Sequence, residues 1–181
     1  MKPAINFFLL ILIIITNSCS KQDDCDNPID CLPPATQTGA NTAGCLVNGR
    51  LLLPSGRSLG TGSVLQSQYL FHQEAYIFTI GVNDRNKNQL IFIRIHNTKL
   101  EEGGIYPLKL KSENEGSAAY IIGGAGSGTS YVTNNITMGQ LHITKLNESK
   151  KIISGTFWFD AVDTEGEIVQ IREGRFDVRY Y

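Results

Sequence analysis

The chain has 181 residues, with 16 Lys and Arg against 17 Asp and Glu, a formal net charge of −1 and 41% hydrophobic residues. That length suits a single domain after any leader. No basic stripe is present to neutralise phosphates, which argues against nucleic acid as a partner.

Residues 1–18 read as a signal peptide. Lys2 supplies a positive start, Phe7–Ile15 is an unbroken apolar run, and Thr16-Asn17-Ser18 leads to Cys19. The run is shorter than the roughly 20 apolar residues a membrane-spanning helix needs. An apolar core, a small residue and then Cys resembles a bacterial lipobox, with Thr16 and Asn17 in place of its usual residues. This reading makes Cys19 a lipid attachment site and the membrane a partner through it. Ordinary secretion with an incidental Cys19 is the alternative.

Residues 19–43 are expected to be a flexible, lipid-anchored tether. The segment is polar, carries Pro28, Pro33 and Pro34, and cannot bury enough apolar area to offset the entropy of ordering. Export puts the thiols in an oxidising space. With Cys19 lipidated, Cys25, Cys31 and Cys45 allow at most one disulfide. Cys25–Cys31 closes the smallest loop. Cys31–Cys45 is the rival pairing, and Cys45 otherwise reads as a buried thiol at the start of an apolar run.

The domain proper is expected over 44–181. Asn48-Gly49 between Cys45-Leu46-Val47 and Arg50–Leu53 is a hairpin signal, because a type I′ turn needs positive φ at both positions. A two-residue loop pairs Val47 with Arg50, Leu46 with Leu51 and Cys45 with Leu52. Both faces of this hairpin are partly apolar, so both should be covered. Strands are expected over Val64–Phe71, Glu74–Val82, Leu90–His96, Ile105–Lys111, Ala118–Ile122 and Thr129–Thr133. Pro107 places the fourth of these near a sheet edge.

From Leu141 to Tyr181 three apolar runs are separated by two polar turns, an antiparallel β-meander. In Glu167–Arg172 the apolar Val169 and Ile171 fall at odd positions, whereas Phe176, Val178 and Tyr180 fall at even ones. A strand changes its buried face only through an extra residue, so a β-bulge or bend is expected at Glu173-Gly174, with Gly174 supplying the special backbone angles. Short strands and no long helical period predict an all-β fold: a single antiparallel sandwich or a partly open barrel.

Chemistry is sparse, and no cofactor is implied. The glycine loop Gly123–Gly128 is followed by Thr129 and a strand pattern. A phosphate loop needs a Lys and a helix there, so a hairpin tip is the better reading. Asp84–Asn88 has oxygen ligands at alternate positions, but Gln89 and Ile95 stand where a calcium loop needs Gly and an acid. His72, His96 and His142 share no metal-ligand spacing. Trp158 lies on the mixed face of its strand, opposite Phe157 and Phe159. Exposed, it is a ligand platform for a glycan or protein; covered, it is packing.

Leu32-Pro33-Pro34-Ala35-Thr36-Gln37-Thr38-Gly39, continuing through Asn41–Gly49, resembles an uncharacterised lipoprotein domain family of Bacteroidota, a domain of unknown function. Ile153-Ser154-Gly155-Thr156-Phe157 and Gly174-Arg175-Phe176-Asp177-Val178 resemble the same family. The resemblance implies a secreted all-β lipoprotein and brings no activity. Ser20-Lys21-Gln22-Asp23-Asp24 resembles the acidic signal that sends such lipoproteins to the cell surface. The expectation is therefore an outer-membrane, surface-exposed, non-enzymatic binding module, with the periplasmic face as the alternative location. The alternative function is an envelope hydrolase or metal-binding protein using His72, His96 or His142.

Overall fold

The computed structural model describes residues 25–57, 62–110, 116–123 and 128–181. The leader, Cys19 and most of the glycine loop lie outside them. Among the described residues there are a 3₁₀ turn, Pro28–Cys31, and eleven strands: β1 (Thr42–Val47), β2 (Arg50–Leu52), β3 (Leu65–His72), β4 (Ala75–Asp84), β5 (Gln89–His96), β6 (Ile105–Lys109), β7 (Gly116–Ile122), β8 (Thr129–Val132), β9 (Gly139–Asn147), β10 (Ile152–Val162) and β11 (Ile168–Arg179). No described helix is long and apolar enough to cross a membrane.

The strands form one sheet in the order β2-β1-β11-β10-β9-β6-β7-β5-β4-β3, and β8 pairs with both β7 and β10. That double pairing closes β6, β7, β8, β10 and β9 into a five-stranded barrel. The remaining strands curl around it. Phe78 of β4 stacks on Phe176 of β11 with ring centroids 6.1 Å apart, so strands distant in the order face each other across the core. At the far edge Tyr181 gives its N–H to the Ser67 carbonyl at 3.3 Å and accepts from the Tyr69 N–H at 3.2 Å. The fold is thus the expected all-β sandwich or barrel.

The alternation seen in the sequence accounts for the core. Phe78, Ile80 and Val82 on β4, Ile91, Ile93 and Ile95 on β5, and Phe157, Phe159 and Ala161 on β10 are all buried. The Asn48-Gly49 turn has φ of 47° and 77°, and its three cross-strand pairs are the expected ones. Cys45 is a buried free thiol, pushed up to about 12 by burial. Cys25 and Cys31 are joined by a disulfide with Cα atoms 5.8 Å apart.

Three expectations change. Pro107 is not at an edge: β6 pairs antiparallel with β9 on one side and parallel with β7 on the other. Pairing with β7 begins only at Leu108, so the proline's missing N–H leaves no gap in a ladder. The extra residue in β11 is present, since Phe157 pairs with Gly174 but Phe159 with Ile171. However, Glu173 adopts the left-handed conformation, φ 55°, and Gly174 does not. Gly174 is needed for another reason: a Cβ there would run into the Phe157 ring. Finally, residues 32–43 are not a free tether. β1 begins at Thr42, Leu32 is buried, and the residues between are bound to the sheet. The composition concealed this because, beyond the burial of Leu32, the segment is bound chiefly through hydrogen bonds to one buried carboxylate and little through apolar area.

That carboxylate is Asp177, 1% exposed. Its Oδ2 accepts from Thr36 Oγ1 at 2.6 Å, Thr38 N at 2.9 Å and Ala40 N at 3.1 Å. Its Oδ1 accepts from Gly39 N at 2.7 Å and Ser154 Oγ at 2.8 Å. Burial alone would raise the carboxyl's pKa. The donors from Thr36, Thr38, Ala40 and Ser154 outweigh it and hold the group well below the usual carboxylate range. Gln37 adds a bond from its side-chain amide to the Thr144 carbonyl at 3.2 Å, beside an irregularity in the β9–β10 register.

Candidate functional site

The outer face of the C-terminal meander carries Ser154, Thr156, Trp158, Asp160 and Val162 from β10, because Phe157, Phe159 and Ala161 point into the core. The docked N-terminal segment covers the Ser154 end of this face. Its cover of this face ends at Ala35, and beyond it lies an open cleft of about 420 Å³. Ala35, Thr156, Trp158, Arg172, Glu173 and Arg175 line it.

Trp158 is 42% exposed. It lies opposite Gln140 of β9 on one side and the β11 bulge on the other. The bulge aims Arg172 across the indole, with the guanidinium carbon 5.6 Å from the ring centroid. Arg172 is itself fixed. Its Nη1 donates to the carbonyls of Phe159 at 3.1 Å and Ile171 at 2.9 Å, and its Nη2 lies 2.6 Å from Asp160 Oδ1. One indole face is thus occupied by a pinned cation. Arg175 Nη2 lies 3.4 Å from Glu173 Oε2 at the rim.

This arrangement offers an ordered aromatic surface with a hydroxyl, a carboxylate and two guanidinium groups around it. It can stack an apolar face and hydrogen-bond a polar edge. The cleft lining contains no nucleophile paired with a base.

The three histidines are not brought together. His142 pairs with Thr156, on the face that bears Trp158. His72 and His96 lie at the ends of β3 and β5, opposite Ala75 and Ile77 of β4. Among the described residues no group of three His, Cys, Asp or Glu could hold a metal ion. Asp160 is engaged by Arg172, while Asp163 accepts from the Glu165 and Glu167 amides at 2.9 Å within its turn. Asp84 accepts from Ser55 Oγ and from the Lys87 amide at 3.3 Å, closing its own turn. Ile122 pairs directly with Thr129, so the glycine loop links a β7–β8 hairpin; residues 124–127 lie outside the described residues.

Sequence reasoning missed the role of Asp177 and of Ala35. Alternation marks which face a residue occupies, but nothing in it reveals that a polar segment some 140 residues earlier supplies the donors. The Arg172–Trp158 stack was reachable in principle. The parity change fixes the bulge beside Arg172, and the hairpin register brings it opposite Trp158.

A family profile described as a domain of unknown function (DUF6252) matches residues 68–178. The match contains Trp158, the bulge and Asp177, and leaves the segment from Leu32 to Asn41 outside. No curated protein and no solved structure matches the chain.

Proposed function

Because the chain belongs to the DUF6252 family, a domain of unknown function, we propose its role from its own surface: a non-enzymatic binding module that takes a glycan or protein ligand at the Trp158 cleft. The observation that carries this reading is an exposed Trp158 whose ring is held by a fully engaged Arg172. An ordered aromatic loses little freedom on binding, which is why such residues dominate binding energetics. The leader, the lipobox-like residues before Cys19 and the resemblance to Bacteroidota lipoproteins support a lipid anchor on Cys19 in the outer membrane. The acidic residues Asp23 and Asp24 support display at the cell surface.

Trp158 is the only tryptophan in the chain, so its fluorescence reports on this cleft. Titration with a panel of surface polysaccharides and envelope proteins should yield a ligand that shifts the emission. Trp158→Ala should weaken its binding about tenfold or more at unchanged melting temperature. Turnover of any panel member by the purified chain would refute the non-enzymatic reading. Cys19→Ala should move the protein from the membrane to the soluble fraction, and unchanged membrane retention would refute the anchor.

A further inference from the structure

A second cleft, of about 270 Å³, lies at the end of the β3–β4 hairpin, away from Trp158. We propose that it binds an acidic saccharide. Tyr69 pairs with Phe78 and Phe71 with Tyr76, so all four rings lie on the core side of the hairpin. The body covers only the first pair. Phe78 is 0% and Tyr69 9% exposed, but Phe71 is 61% exposed. The core face therefore runs out into solvent as an aromatic wall. Its centroids are 4.8 Å apart for Phe71–Tyr76, 6.0 Å for Tyr69–Tyr76 and 5.6 Å for Tyr69–Tyr180. The turn that ends the hairpin, Gln73 and Glu74, holds φ of 48° and 64° without a glycine.

Charged groups from two other segments face this wall. Lys99 comes from the stretch after β5, and Glu148 and Lys151 come from the β9–β10 turn. None of the three makes an ion pair among the described residues. The Tyr76 and Tyr180 hydroxyls make no hydrogen bond there either, whereas the Tyr69 hydroxyl accepts from the Leu100 amide at 3.0 Å and keeps its proton to donate.

These groups specify a ligand between them. The rings offer stacking to an apolar C–H face. Glu148 can only accept, so the ligand must present hydroxyls. The lysines can only donate and outnumber the carboxylate, so the cleft is net cationic and favours a ligand that presents an anion. A uronic-acid ring supplies all three. The cleft is smaller than the roughly 300–1,000 Å³ typical of drug-sized ligands, which fits one or two rings and not a long chain. This site does not depend on the Trp158 reading.

The test is calorimetric titration of the mature chain with a galacturonic-acid disaccharide and with its neutral galactose counterpart. The acidic sugar should bind, and the neutral one about tenfold or more weakly. Phe71→Ala, and Lys99→Gln with Lys151→Gln, should each weaken the acidic sugar about tenfold or more. Phe71 is largely exposed, so its removal should leave folding intact. Trp158→Ala should leave the acidic sugar's affinity unchanged, because Trp158 lies outside this cleft. No binding at about 5 mM sugar, equal affinity for the neutral sugar, or full affinity in Phe71→Ala would overturn the proposal. Loss of binding in Trp158→Ala alone would overturn it too and place the saccharide in the other cleft.

Discussion

At the scale of single residues, Asp177 carries an unusual concentration of interaction. A hydrogen bond to a charged group contributes roughly 1.5–3 kcal/mol, and removing the shared acceptor leaves several donors to find water. Asp177→Ala should therefore cost about 3 kcal/mol, read as a lower urea midpoint at unchanged slope. The pH dependence has a definite sign. The carboxyl's pKa is lowered in the folded state, so its contribution is full above the unfolded value near 4 and is lost as pH falls through the folded value. Urea midpoints should drop between about pH 5 and pH 2, and Asp177→Ala should flatten that drop.

At the scale of elements, the sequence made local structure readable and left partners unreadable. Asn48-Gly49 determined its turn, and the turn determined the register of β1 with β2. The parity change between Ile171 and Phe176 located an extra residue, seen from β10 and again from β1, where Gly44 pairs with Arg175 but Leu46 with Arg172. Alternation does not say which strand lies alongside which. The placement of β6 against β9 and the bridge from β8 to β10 at Val132 and Val162 join segments that share no turn, and β6 and β7, though consecutive, pair parallel and not as a hairpin, so none of these had a local signal. The Trp158 cleft was half legible for the same reason: its strand face could be read, its N-terminal wall could not.

The bulge supports a prediction that separates two roles for neighbouring residues. Glu173 holds φ 55°, a conformation that costs a non-glycine residue roughly 1–2 kcal/mol, part of which a glycine gives back through its own entropy. Glu173→Gly should stabilise by up to about 1 kcal/mol. Gly174→Ala should destabilise by about 3 kcal/mol, because the added methyl would press on the Phe157 ring and carbonyl inside the core. Thermal melts of the two variants should move in opposite directions. Destabilisation by Glu173→Gly would mean that the left-handed angles at Glu173 cost nothing that a glycine relieves.

At the scale of the whole molecule, the N-terminal segment and β11 form one unit. Leu32 is buried, and together with Pro33 and Leu53 it crowds the space over Gly44, on the outer side of β1. Residues 36–40 close over Ser154 and Asp177, and the Asn41 side chain accepts from the Arg179 amide at 2.9 Å. A chain beginning at Asn41 would keep every strand but lose this cover, and Asp177 would then meet water. The two changes must therefore be non-additive. Asp177→Ala should cost about 3 kcal/mol in the longer chain but under about 1 kcal/mol in the shortened one, a coupling of about 2 kcal/mol in a double-mutant cycle. Additive costs would mean that Asp177 stabilises β11 through Ser154 alone. Because Ala35 also walls the Trp158 cleft, the shortened chain should weaken any ligand found there, while Asp177→Ala should do so only to the extent that the segment lifts away.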